Sequence, residues 1–207
     1  MPVRQVNRRI VVLALTTACI APAASAQTAT EQALQDFGRY LDAAASLFGQ
    51  FALGIREARA SGRLNAAVRE DLRDVNAMFR MLYARQSVLV GDLEDYARAA
   101  REGENVAPLW AGIKVQVRDT AGFVSRVTEI VENSDAIVLA LDAETTDVLQ
   151  ETLYARRSLL ARFYSLPPPR SPAELTQLEG LNARYRTLIQ TLREVRIEIE
   201  EILESGE

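Results

Sequence analysis

Two acidic clusters carry most of the side chains that could do chemistry: Glu70, Asp71 and Asp74, then Asp92, Glu94 and Asp95. Two carboxylates suffice for glycoside hydrolysis, one as proton donor and the other as base or nucleophile. Both clusters are interleaved with arginines, Arg69, Arg73 and Arg98, which is the pattern of a solvated helix face. Glycan cleavage also needs aromatic platforms in a cleft, and the chain has one Trp. None of the 207 residues is His. That rules out Ser-His-Asp and Cys-His nucleophilic sites, and every His-ligated zinc, copper, iron or haem centre. The single Cys is Cys19. There is no Gly-rich phosphate loop and no dinucleotide fingerprint. The sequence therefore names no catalytic, cofactor-binding or metal-ligating residue, and a carboxylate-dependent cell-wall glycan hydrolase is the least favoured reading.

Interaction residues are easier to nominate. Residues 82–89, Leu-Tyr-Ala-Arg-Gln-Ser-Val-Leu, match residues 153–160, Leu-Tyr-Ala-Arg-Arg-Ser-Leu-Leu, at six of eight positions. In a duplicated helical hairpin, Tyr83 and Arg85 would be related by pseudo-symmetry to Tyr154 and Arg156. Recurrence forced by a heptad rich in Leu, Ala and Arg is the competing explanation. Near the C-terminus, Glu198, Glu200, Glu201 and Glu204 crowd the end of a helix, where the macrodipole is negative. Such an acidic tip suits a basic partner, or is simply a solvated terminus. Phe37, Phe48 and Phe51 around Gly49 could line an apolar cavity between helices.

The first 26 residues read as a leader. Arg4, Arg8 and Arg9 precede an apolar stretch from Ile10 to Ile20, and Ala24-Ser25-Ala26 fits a signal-peptidase site before Gln27. The stretch is shorter than the roughly 20 residues of a membrane span. A lipid anchor on Cys19 is a weaker alternative, since Thr16 stands where lipoprotein signals carry Leu. Periplasmic or secreted residence follows as an expectation. The leader holds three Arg and no acid, so the remainder has 21 basic against 28 acidic residues, which disfavours nucleic acid as a partner. Of all the basic residues only Lys114 is Lys.

Proline then sets out the elements. Beyond the leader it occurs only at Pro108 and at Pro167, Pro168, Pro169 and Pro172. The long intervening runs, rich in Ala, Leu, Arg, Glu and Gln, predict long helices joined by short turns. A first helix, Glu31 to Ala60, has Thr28 and Glu31 at capping-box spacing and a seam of Leu34, Phe37, Leu41, Ala44, Phe48, Phe51, Ile55 and Ala58. A second, Leu64 to Arg101, repeats the seam from Val68 to Ala100 with one polar member, Gln86. A third, Leu109 to Asn133, uses Trp110, Ile113, Val117, Ala121, Val124, Val127 and Val131. After an uncertain stretch at 136–147, a fourth runs through Leu149, Leu153, Leu160 and Phe163 to about Ser165. The segment 167–171 is a proline-rich linker. Ser171, Pro172 and Glu174 then start a fifth helix whose seam runs from Leu178 to Ile202.

The fold expected is all-α, an elongated antiparallel bundle of four to five long helices with coiled-coil-like packing. Residues 27–166 would form the bundle, with two helical hairpins as one arrangement, and 172–207 a long helix packing on it. The function expected is that of an exported, non-catalytic module that binds another macromolecule: a scaffold, adaptor, inhibitor or chaperone-like protein, with a protein partner or self-association. The rival is a carrier of an apolar small ligand or lipid.

Overall fold

A computed structural model describes residues 28–134 and 159–205. The leader, the 136–147 segment, and Tyr154 and Arg156 lie outside the described residues. The protein is an all-α helical bundle. Its helices are α1 (Ala29–Ala60), α2 (Ala66–Arg101), α3 (Ala107–Asn133), α4 (described over residues 159–165) and α5 (Pro172–Glu204). With 36 residues, α2 spans roughly 54 Å, so the bundle is long relative to its width. No described helix is long and apolar enough to cross a membrane.

The helix ends follow local chemistry. Thr28 Oγ1 accepts from Glu31 N at the start of α1. Asn65, an N-cap that the sequence reading passed over, accepts from Val68 N and starts α2 two residues later than expected. Ser171 and Glu174 form the reciprocal capping box foreseen for α5. Both α1 and α2 end in the same motif. Gly62 (φ +69°) donates to Arg59 O while Arg63 N reaches Ala58 O, and Gly103 (φ +77°) donates to Ala100 O while Glu104 N reaches Ala99 O. Only glycine takes this left-handed position without strain.

The seams are the core. Every α1 seam residue from Leu34 to Ala58 is buried, as are those of α2 from Val68 to Tyr96 and of α5 from Leu178 to Ile202. In α3, Trp110, Ile113, Val117 and Val127 are buried. Gln86 is 0% exposed in mid-bundle, and neither its Oε1 nor its Nε2 has a hydrogen-bond partner among the described residues. Thr120 Oγ1 beside it is likewise unpartnered.

Helix order around the bundle differs from chain order. The main neighbours of α5 are α1 and α2, and α2 packs also on α3. Residue numbers of contacts between α1 and α5 rise together along the pair, from Phe37 with Tyr185 to Arg56 with Glu198 and Arg59 with Glu201. These two helices are therefore parallel. Contacts between α2 and α5 run oppositely, from Arg80 and Glu200 to Arg101 and Glu179, as do those between α2 and α3, from Asp71 and Ser134 to Asp92 and Gln116. Of the packed pairs, α2 is thus antiparallel to α3 and to α5, and α1 runs parallel to α5. Although α1 and α2 are joined by a short turn, α5 lies between them, and they meet chiefly through rings: Phe48 and Phe51 pack on Phe79 with centroids 5.2 and 6.1 Å apart.

What delivers α5 to that slot is the linker, residues 166–170. Proline lacks an N–H, and an extended proline run makes no internal hydrogen bonds, so its carbonyls need outside donors. The chain's one Trp and one Lys supply them. Trp110 Nε1 donates to Leu166 O at 3.0 Å, and Lys114 Nζ donates to Tyr164 O and Leu166 O at 2.7 and 2.5 Å. The buried Tyr96 hydroxyl donates to Pro169 O at 2.8 Å. Phe163, fully buried, sits between Phe37 and Trp110 and joins α1 to α3. Partial burial of the Lys114 ammonium pushes its pKa below the ordinary lysine value.

Two outcomes test this packing. Lys114→Met removes a charge-assisted pair of hydrogen bonds and should cost about 2 kcal/mol in urea unfolding; a change inside 0.5 kcal/mol would show that the linker does not depend on it. Gln86→Leu removes an unpartnered buried amide and should raise stability by about 1 kcal/mol, and a loss of that size would mean the amide is satisfied.

Candidate functional site

The nominated residues do not gather at one place. Tyr83 and Arg85, two residues apart on α2, face different neighbours. The Tyr83 ring lies under the Arg196 guanidinium of α5 at 5.5 Å, while Arg85 reaches Asp119 of α3 at 3.4 Å. The acidic clusters divide likewise. Asp71 accepts from Ser134, Asp92 from Gln116, Glu94 from Arg186 and Asn182, and Asp95 from Arg98. Asp92 thus turns to α3, Glu94 to α5 and Asp95 to its own helix, so the set does not converge on a substrate. Trp110 is buried in the linker clasp and offers no platform to a sugar.

The acidic end of α5 is largely matched within the bundle. Arg56 donates to Glu198 at 2.8 Å, Arg59 lies 3.6 Å from Glu201, and Arg80 and Arg196 both reach Glu200, at 3.0 and 3.1 Å. Three of the four glutamates therefore face arginines of α1, α2 or α5 itself. Nothing in the sequence near residue 200 announces this, because the parallel register of α1 on α5 brings Arg56 and Arg59 alongside. Glu200 is held below the ordinary carboxyl pKa of 4.5 above all by the Arg80 hydrogen bond, with burial opposing it and Arg196 and Asn76 adding to the lowering.

Phe37, Phe48 and Phe51 turn inward. Phe37 packs on Phe163 and Tyr185, and Phe48 and Phe51 on Phe79. The space that touches Phe37, between Gln86, Thr120 and Leu188, is about 10 Å³. Gly49 lies elsewhere, in an outer groove, so these four residues do not line one cavity among the described residues.

That outer groove is a developed concave surface among the described residues. It runs between the parallel helices α1 and α5, measures about 410 Å³, and is lined by Ser46, Gly49, Gln50, Ala52, Leu53 and Arg56 on one side and Thr191, Glu194 and Val195 on the other. Ser46, Gly49, Gln50 and Leu53 follow one another at helical spacing, so a single stripe of α1 forms one wall. Small side chains make the floor shallow. A Cβ placed on Gly49 would meet no atom within 4 Å, whereas one on Gly38, about two and a half turns into the same helix, would collide with the Arg184 side chain on its way to Asp42. The first glycine leaves space and the second admits a crossing side chain. At the rim Leu53 is 54% exposed, the Arg56 and Glu198 pair closes one end, and Gln50 Oε1 has no hydrogen-bond partner among the described residues. Sequence reasoning found Gly49 but assigned it to the wrong side of its helix; its offset from the seam positions Phe48 and Phe51 was the available signal.

No family model, no curated protein and no solved structure matches this chain.

The lowered pKa of Glu200 has a pH consequence. A carboxylate with a folded pKa below its unfolded value stabilises the fold above the unfolded pKa, and that contribution disappears as pH falls through the folded one. Thermal unfolding followed from pH 7 to pH 3 at low salt should show a falling Tm below about pH 4.5, with a shallower fall in Glu200→Gln. Equal slopes in the two proteins would remove Glu200 from the account.

Proposed function

We propose that this chain is an exported, non-catalytic helical bundle that binds another macromolecule, a protein partner, by accepting an amphipathic helical segment in the groove between α1 and α5. The observation that carries this reading is the contrast between interior and surface. The interior seams are filled, and the space beside Phe37 is about 10 Å³, whereas small-molecule pockets run to about 300–1,000 Å³. The groove outside has the shape and mixture that a docking helix needs: small residues on the floor, an exposed leucine at the rim, and polar groups at its margins. Ser46 to Arg56 extends over roughly 15 Å, or about three turns of a docked helix. The divergence of Asp71, Asp92, Glu94 and Asp95 to separate partners favours binding over glycan hydrolysis. The filled seam favours a macromolecular partner over an apolar-ligand carrier.

A photocrosslinking residue at position 53, compared with one at Val88 on α2, tests the groove in the producing cell. Crosslinking to a defined protein from position 53 but not from 88, and its loss on Gly49→Leu, is the expected result. Gly49→Leu has room for its side chain and replaces a poor helix former, so the fold should be at least as stable. Equal crosslinking from both positions, or crosslinking indifferent to Gly49→Leu, would overturn the reading. A co-purifying small ligand in native mass spectrometry, with no protein partner, would favour the carrier instead.

A further inference from the structure

The ion pairs between α1 and α5 keep one register. Asp42 with Arg184 at 3.0 Å, Arg56 with Glu198 at 2.8 Å and Arg59 with Glu201 at 3.6 Å all join residues 142 apart in sequence. The groove between these rungs is lined by residues at the same offset: Gly49 and Thr191, Ala52 and Glu194, Leu53 and Val195. At the three ion-paired rungs an acid faces an arginine. At Glu194 the position across is Ala52, a buried methyl group with no charge to offer.

Glu194 is the only carboxylate in the lining of the groove, and its partner among the described residues is a neutral one: Gln190 Nε2 donates to it at 2.9 Å from a turn earlier on the same helix. Arg56, the one cation in the lining, is held by Glu198 through both Nε and Nη2. Thr191 turns its hydroxyl back to Thr187 O. Gln50 Oε1 is buried in the same lining with no donor among the described residues. The described part of α4 meets α1 on another flank, at Asp36 and Phe37. The groove thus presents two acceptors, one of them charged, while its own arginine is engaged at the end. A wholly apolar guest would strip water from Glu194 and leave the carboxylate unpaired, at a cost that apolar contact does not recover. A guest that brings a guanidinium or ammonium pairs with Glu194 while its apolar stripe lies over Gly49 and against Leu53.

We propose that the helix docked between α1 and α5 is cationic, and that an arginine or lysine at the edge of its apolar stripe pairs with Glu194. The proposal rests on the docking reading above and adds the chemistry of the partner to it. The surplus of acids over bases in the chain, 28 against 24, favours the approach of such a partner at low salt.

The test repeats photocrosslinking from position 53 of the full chain in the producing cell, with Glu194→Gln, Glu194→Arg and, as a control at the far end of α5, Glu179→Gln. The crosslinked segment of the partner is then sequenced. Glu194 is exposed, so urea unfolding of its variants should match that of the parent. The adduct is expected to fall about fivefold in Glu194→Gln and further in Glu194→Arg, and to be unchanged in Glu179→Gln. The captured segment should be helix-forming, with an Arg or Lys within one turn of the crosslinked residue. Exchanging that residue for Glu should restore the adduct with Glu194→Arg, a rescue that a merely structural Glu194 would not show. An adduct lost on Gly49→Leu but indifferent to both Glu194 variants would overturn the cation and keep the groove. No adduct from position 53, or one indifferent to Gly49→Leu, would overturn the docking reading and this proposal with it.

Discussion

The carbonyls of the proline linker are the constraint on which the bundle depends. A chain leaving α4 through Leu166, Pro167, Pro168 and Pro169 cannot satisfy these groups by itself, since proline offers no N–H and the extended run has no internal bonds. Tyr96 from α2 and Trp110 and Lys114 from α3 donate three hydrogen bonds to two of them, Pro169 O and Leu166 O, Lys114 also reaches Tyr164 O at the end of α4, and Phe163 packs the same corner on α1. The exit direction of the chain is thereby set against three helices at once. From that exit the capping box at Ser171 starts α5 in the one orientation that lets its seam fill the slot between α1 and α2.

Filling that slot has consequences for the surface. Because α5 enters parallel to α1, side chains near the end of one lie beside those near the end of the other, and Glu198 and Glu201 find Arg56 and Arg59. Exposed pairs of this kind are each worth about 0–1 kcal/mol, so they adjust register more than they hold the fold. The same parallel pairing leaves a valley where small residues of α1, Ser46 and Gly49, oppose Thr191 of α5. A solid interior and a valley outside are two results of one placement. It moves recognition from the core, where Phe37, Phe48 and Phe51 pack on other rings, to the outer face of the α1 and α5 pair.

Much of this was legible in advance. The heptad seams marked most of the buried apolar residues, though not Tyr40, Leu47 or Leu175, because a 3.6-residue period leaves one stripe of a long helix facing its neighbours. The expected ends at Ala60 and Arg101 hold, each followed by a left-handed glycine, Gly62 or Gly103, and Ser171 with Glu174 caps α5. Gln86, the one polar member of its seam, is in mid-core and not at a solvated end; periodicity identifies a face but not how far along the bundle its neighbours extend. The candidate site was less legible. Arg85 and Gly49 were both singled out, yet in the company of Tyr83 and of the phenylalanines, because proximity in sequence stood in for proximity in space.

The sequence by itself determined the all-α class, the extent of the long helices, their buried faces and their caps. All of these rest on interactions within a few residues of chain, where spacing is enough to define geometry. Only the tertiary structure decided that α5 lies between α1 and α2, that it runs parallel to the first, that Glu198, Glu200 and Glu201 are matched by arginines more than 100 residues away, and that the single Trp and Lys hold the linker. Apolar seams on five helices are interchangeable as far as burial goes. Which seam meets which is defined by contacts far apart in sequence, with α5 between α1 and α2 and its linker held by Tyr96, Trp110 and Lys114.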